Sequence, residues 1–173
     1  MKIKRYGGID IGSNAARLII KDLHPREGGK FSLEKRVYIR LPLRIGLDVF
    51  TQGYIGDEKI FEFMKAMDIF KDILDYNHVS EFQTYATSAL RSSSNQEEVI
   101  EKIKMVTGID IQVIDGIQEA NLLFLTNREK VKKKNIYISA DLGGGSLQIG
   151  LFRYRELLWA HAFKAGTLRF ITN

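Results

Sequence analysis

The chain has 173 residues, is 45% hydrophobic and contains no cysteine, so it can bury one sizeable core or two small ones but can form no disulfide or thiolate metal site. Its formal net charge of +5 suits plain solubility and attraction for a polyanion equally well, and charge alone does not choose between them. No run of about 18 apolar residues is present, which argues against a membrane span; the basic start Met1–Arg5 leads into Gly7 and Gly8 rather than an apolar stretch, which argues against a signal peptide, so a cytoplasmic protein is expected.

Ile3 to Asp10 reads as a strand that runs into Gly12. Ala15 to Leu23 is a second apolar run, residues 24–29 (His-Pro-Arg-Glu-Gly-Gly) form a turn by composition, and Phe31 to Leu41 resumes a strand, so the chain opens as a meander. Gly56 and Asp57 open a helix in which Ile60, Phe63, Met64, Met67, Phe70 and Leu74 recur at spacings of three and four, ending near Asn77. Phe82 to Ala86 is a short buried strand. Ser94 and Glu97 match a capping box, predicting a helix from there to Thr107 with Gly108 just past its end. Ile109 to Ile114 is the next predicted strand, and Asp115-Gly116 turns into a helix over 117–128. The basic stretch 129–135 is the expected domain boundary. Strands are then predicted over Ile136 to Asp141, Leu147 to Arg153 and Leu157 to Phe163.

One feature repeats. Asp10-Ile11-Gly12 and Asp141-Leu142-Gly143 each close an apolar strand, and each is followed by small residues and another apolar strand. Glycines let the backbone approach an anion, and successive N–H groups form an anion-binding concavity. Ser13, Asn14 and Ser146 add side-chain donors around Gly12, Gly143, Gly144 and Gly145. Asp10 and Asp141, at strand ends, can hold Mg²⁺ directly or through water. A single loop of this kind is often only a tight turn; two copies in the same residue order are more specific. The pattern is not a Walker A loop, and Gly143-Gly144-Gly145 leads into a strand rather than a helix, so a dinucleotide fingerprint is excluded.

Thr87, Ser88 and Arg91 follow a buried strand, where the planar guanidinium suits bidentate phosphate binding; a surface arginine beside a loop is the competing reading. Glu119 near a helix start can simply favour the positive helix terminus; if it faces a cleft, it can orient or deprotonate a water. His24, His78 and His161 have no ligand spacing and read as non-catalytic.

Four segments in order resemble the exopolyphosphatase and guanosine pentaphosphate phosphohydrolase (Ppx/GppA) family: 8–18 around Asp10-Ile11-Gly12-Ser13-Asn14 and Arg17, 86–91 (Ala-Thr-Ser-Ala-Leu-Arg), 113–120 around Gln118-Glu119-Ala120, and 141–146 (Asp-Leu-Gly-Gly-Gly-Ser). The resemblance implies an α/β, actin-like (ribonuclease H-like) fold with one complete subdomain, 1–128, and the start of a second, 129–173. It implies phosphate gripped by both loops, Arg17, Ser88 and Arg91, an activated water at Glu119, and a divalent cation, Mg²⁺ or another, near Asp10, Asp141 and Gln148. The implied reaction is hydrolysis of the terminal phosphoanhydride of polyphosphate or guanosine pentaphosphate, with no specific nucleic-acid or membrane partner.

Two departures stand out. The family's second loop usually continues to a glutamate where this chain has Gln148, and Gln118 stands where the family often has an acid. The chain also stops where the family's sequence is at its middle. A fragment, or a weakened, phosphate-binding relative, is therefore the alternative expectation, and a second meander without covering helices would favour self-association as a homodimer.

Overall fold

The computed structural model describes residues 3–127, 135–154 and 156–172. The expected boundary stretch and its Lys130–Lys134 run lie for the most part outside the described residues. Strands β1 (Lys4–Ile11), β2 (Ala16–Pro25) and β3 (Phe31–Leu41) form the antiparallel meander. Strands β4 (Glu81–Ala86) and β5 (Gln112–Val113) join it in parallel, in the order β3-β2-β1-β4-β5. A second, antiparallel sheet has the order β6-β7-β8, from β6 (Ile136–Leu142), β7 (Leu147–Arg153) and β8 (Glu156–Phe163).

Alternation along β1 and β2 turns Ile9, Ile11, Leu18 and Ile20 to one side, where all are buried. Helix α2 (Asp57–Tyr76) covers that side with the predicted stripe: Ile60, Phe63, Met67, Phe70 and Leu74 are buried, and Asp57 and Glu58 in its first turn suit the positive end of the helix. Helix α4 (Gln96–Thr107) packs beside it through Val99 and Ile103 and ends at Gly108, whose φ of 70° closes the last turn and whose N–H bonds to Lys104 O.

The predicted capping box at Ser94 is not formed. Asn95 is the N-cap residue, and its side chain is turned away to a tertiary partner: Oδ1 accepts from Ile55 N at 3.0 Å and Nδ2 donates to Ile55 O at 2.9 Å. A real capping box lies at the next helix, α5 (Gly116–Asn127). There Asp115 Oδ1 accepts from the N–H groups of Ile117 and Gln118 at 2.8 Å, and Gln118 Oε1 accepts from Asp115 N at 2.9 Å. The strand expected over 109–114 shrinks to two paired residues because Ile109, Ile111 and Ile114 are spent on burial while β4 ends at Ala86. Three short helices had no sequence signal: α1 (Ile45–Gln52), α3 (Ser88–Ser92) and α6 (Thr167–Thr172).

Helix α5 lies on one face of the second sheet, where Phe124 stacks on Phe152 with ring centroids 3.8 Å apart. A Cβ at Gly116 would sit 2.1 Å from Ala162 Cβ, so this close approach needs glycine. The other face of that sheet is exposed, including Ile138, Leu142, Trp159 and Phe163. Among the described residues, no helix is long and apolar enough to cross a membrane.

A cleft between two matched hairpins

The two glycine loops are built alike. In the first, Gly12 N donates to Ala15 O at 3.0 Å and the strands close at Ile11 and Ala16; in the second, Gly143 N donates to Ser146 O at 2.9 Å and the strands close at Leu142 and Leu147. A helix start ties down each loop's carbonyls. Arg44 and Gly46 N–H groups bond to Asn14 and Ser13 O at 3.0 and 2.9 Å, while Thr167 and Leu168 N–H groups bond to Gly143 and Gly144 O at 3.0 and 2.8 Å.

The loops meet tip to tip. A Cβ built on Gly145 would lie 2.5 Å from Ser13 Oγ and 2.6 Å from both Phe50 Cζ and Ser88 Oγ. Only glycine permits this approach, and the three contacts draw α1 and α3 to the junction.

A cleft of about 440 Å³ opens at the junction. It is lined by Asp10, Gly12, Ser13, Asn14, Arg17, Ser88, Glu119, Asp141 and the 143–146 loop. Twelve of the fourteen residues singled out from sequence therefore share one cavity wall. The other two, Arg91 and Gln148, stand directly behind it. Arg91 donates through Nη1 to the Ile114 carbonyl, and the same nitrogen is 3.8 Å from Glu119 Oε2. Gln148 is 2% exposed and donates from Nε2 to Ser146 Oγ at 2.8 Å.

The repeat extends to side chains. Asp10 pairs across its hairpin with Arg17, and Asp141 with Gln148, so Arg17 and Gln148 occupy equivalent places. Arg17 Nη1 donates to Asp10 Oδ2 at 2.6 Å. Burial opposes the Arg17 charge, but the bond to Asp10 and its field outweigh that and raise the pKa. Asp10 is thus held by a guanidinium, whereas Asp141 faces a neutral amide.

Glu119 does not cap its helix; Asp115 does. Its Oε2 is buried with no hydrogen-bond donor. Burial pushes this carboxyl up to about 7, Arg91 and the Gln148 amide pull against the rise, and Asp10 and Asp141 add to it. A carboxyl poised near neutrality in a polar cleft has the properties of a general base.

Gln148 Oε1 is likewise buried without a partner, and Gln148 and Asp141 line a common recess behind the cleft. Hard oxygen donors with an unsatisfied atom among them fit Mg²⁺, which needs only one or two carboxylates and completes its shell with water and phosphate. No group of three or more His, Cys, Asp or Glu side chains converges among the described residues, so the donor set suits a cation shared with a phosphate ligand rather than a closed protein cage.

Sequence reasoning missed Arg169. From α6 its Nε donates to Gly145 O at 2.7 Å, its Nη2 to Ser92 Oγ at 3.3 Å, and its guanidinium lies 4.0 Å over the Phe50 ring. The partners are distant in sequence, so no local pattern marks it.

Two sheets whose matched glycine hairpins close on one polar cleft define an actin-like fold. The sequence profile of the Ppx/GppA phosphatase family matches residues 37–173, and the chain belongs to that family. It is 29% identical over 146 residues to Exopolyphosphatase 1 of Mycobacterium tuberculosis, covering 84% of this chain and 41% of that protein. The crystal structure of an exopolyphosphatase from Cytophaga hutchinsonii superposes with a TM-score of 0.85 at 30% identity, over 97% of this chain and 53% of that one. The Aquifex aeolicus Ppx/GppA family member does so with a TM-score of 0.82 at 26% identity, over 95% and 52%. The chain thus spans about half the length of these solved relatives.

Proposed function

We propose that this chain carries the phosphate-gripping half of an exopolyphosphatase-type phosphohydrolase, which releases orthophosphate from the end of polyphosphate or guanosine pentaphosphate. The observation that carries the reading is Glu119: a buried carboxyl with a free oxygen, 3.8 Å from Arg91, facing a cleft walled by both glycine hairpins. The cleft then lies between two actin-like units, 1–128 and 129–173.

The loops' backbone N–H groups, with the Ser13, Asn14, Ser88 and Ser146 side chains, bind the terminal phosphate, and Arg17 and Arg91 offset its charge. Glu119 accepts a hydrogen bond from a water and takes its proton as the water oxygen bonds to the terminal phosphorus. The bridging P–O bond breaks and the shortened chain leaves with the electron pair. Asp141 and Gln148, with Asp10, would hold Mg²⁺, which neutralises phosphate charge when bound.

The test is orthophosphate release from either substrate with Mg²⁺ present, in wild type and Glu119→Gln. Removing a general base should slow release by about 10²–10⁴-fold with binding retained. Absence of both release and phosphate-chain binding in wild type would sink the reading. A second reading, ligand binding without turnover, is favoured by one observation: the residue facing Asp141 is an uncharged amide, already bonded to Ser146. It predicts binding with no release, and measurable release on Gln148→Glu.

A further inference from the structure

We propose that the outward face of β2 and β3 is a sequence-tolerant platform for single-stranded nucleic acid, with Tyr38 and Phe31 stacking bases and Lys21, Lys35 and Arg40 holding the backbone. The inference goes beyond the family reading and does not depend on turnover at the cleft.

Alternation along the strands sorts the side chains. Leu18, Ile20 and Asp22 are buried on the inner side, so Ile19, Lys21 and Leu23 point outward. The register sets Arg40 opposite Arg17, Tyr38 opposite Ile19, Lys35 opposite Lys21 and Phe31 opposite Pro25. Tyr38 is 54% exposed and Phe31 63%. Tyr38 therefore stands between two opposed pairs of cations with its ring open to a ligand.

A β-bulge between Ile20 and Lys21 produces this arrangement. Lys35 and Tyr38 are three positions apart, so strict alternation would put them on opposite faces. The bulge leaves Arg36 outside the register, and Arg36 turns instead to Asp22 Oδ2 at 3.3 Å and Asn77 Oδ1 at 3.0 Å. Cation and aromatic ring then share the outward face.

Directly opposed like charges weaken a strand pair. Arg17 is matched by Asp10, but Lys21, Lys35 and Arg40 make no ion pair among the described residues. Asp22, the acid of β2, faces inward and is shared by Arg5 and Arg36. An anionic backbone lying over the face would match the uncompensated cations.

The aromatic rings decide which polyanion fits. Every base has a π face, and single-strand binders combine stacking rings with a charged surface that follows the backbone. A bare phosphate chain has nothing to stack and gains nothing from Tyr38 or Phe31. A duplex is a poor match as well, because a flat sheet face offers no element to enter a groove. From Phe31 to Arg40 the face runs about 30 Å, at roughly 3.3 Å per residue, which suits the about 4–16 nucleotides covered by one single-strand-binding module.

The experiment measures binding of oligodeoxythymidine and oligouridine of about ten nucleotides, and of inorganic polyphosphate of matched charge, to the full chain. The variants are Tyr38→Phe, Tyr38→Ile and Lys35→Glu. Isoleucine is a good strand former and Lys35→Glu sets an acid opposite Lys21, so thermal midpoints should hold and misfolding cannot mimic the result. Wild type and Tyr38→Phe should bind the oligonucleotides alike. Tyr38→Ile should weaken that binding at least about fivefold, as for one lost stacked base, and leave polyphosphate affinity unchanged. In Lys35→Glu the slope of log affinity against log salt should shrink by at least roughly 0.7. Absence of oligonucleotide binding by wild type overturns the platform, as does wild-type affinity in Tyr38→Ile or an unchanged salt slope in Lys35→Glu. Equal loss of oligonucleotide and polyphosphate affinity in Tyr38→Ile overturns it in favour of a plain polyanion surface. Neither Tyr38 nor Lys35 lines the cleft, so orthophosphate release reports separately on the proposed function.

Discussion

Arg169 holds the Gly145 carbonyl at 2.7 Å while its guanidinium lies over Phe50, so one side chain fastens the second hairpin to α1. Burial and the neighbouring charge of Arg91 lower its pKa, a cost borne for the sake of position. Arg169→Ala removes a charged hydrogen bond and a cation–π contact, together about 1–3 kcal/mol of stability. It should also weaken phosphate-chain binding about tenfold. Arg169→Lys should not restore binding, because an ammonium cannot make the forked contact and stack at once. Denaturant melts and titration calorimetry with tripolyphosphate check both statements.

Gly145→Ala should be costly out of proportion to its size. The added methyl would lie 2.5 Å from Ser13 Oγ and 2.6 Å from Ser88 Oγ, so the hairpins must part. Overpacking of this kind costs about 1–3 kcal/mol, and phosphate binding should fall with it. By contrast, Gly53→Ala meets no atom within 4 Å but sits at a φ of 86°. It should cost stability through backbone strain while leaving phosphate affinity intact. Equal loss of affinity in the two variants would refute the role given to the loop junction.

The Glu119 carboxyl, at about 7 against an ordinary 4.5, makes stability depend on pH in a direction opposite to a paired acid. The unfolded chain releases this proton first, so the contribution is unfavourable at high pH. Stability is lost as pH rises from about 4.5 to about 7, by up to ~3 kcal/mol. Glu119→Gln should therefore be more stable than wild type at pH 8 and no different near pH 4, while losing turnover. Urea melts at the two pH values decide this. Under the proposed function, the ionised form of Glu119 accumulates as pH rises through about 7, so release should increase across that range.

Gln148→Glu would set a buried carboxylate beside the exposed Asp141 and close to Glu119. Like charges should raise the Glu119 pKa further and cost about 1–3 kcal/mol without metal. With Mg²⁺ the order should reverse, the variant gaining more in thermal midpoint than wild type. A midpoint gain identical in the two proteins would mean that position 148 does not reach the cation.

Much of this arrangement was readable along the chain. Residues 10–14 and 141–146 announce the two hairpins, because a strand ending in Asp-x-Gly before small residues is a local instruction. The stripe from Ile60 to Leu74 announces α2 for the same reason, since side chains three and four apart share a face whatever surrounds them. The end of α4 at Gly108 needed only a left-handed residue.

Other features depended on partners far away in sequence. Ser94 and Glu97 have the spacing of a capping box, yet the Asn95 amide is pinned to both backbone groups of Ile55, forty residues earlier. The apolar run after Gly108 buries its isoleucines but finds β4 for only two residues of ladder. Neither outcome has a local cause.

The opening hairpins show the division most clearly. Glycine, serine and aspartate at fixed spacing determine that each loop is a tight turn between two strands, because backbone conformation is a short-range property. That the loops touch through Gly145, that Arg17 pairs with Asp10 while a neutral amide, Gln148, stands across from Asp141, and that Glu119 ends beside Arg91 were settled only when two sheets came together. Burial, field and desolvation are sums over neighbours that the fold selects, and those sums turn a pair of turns into a site.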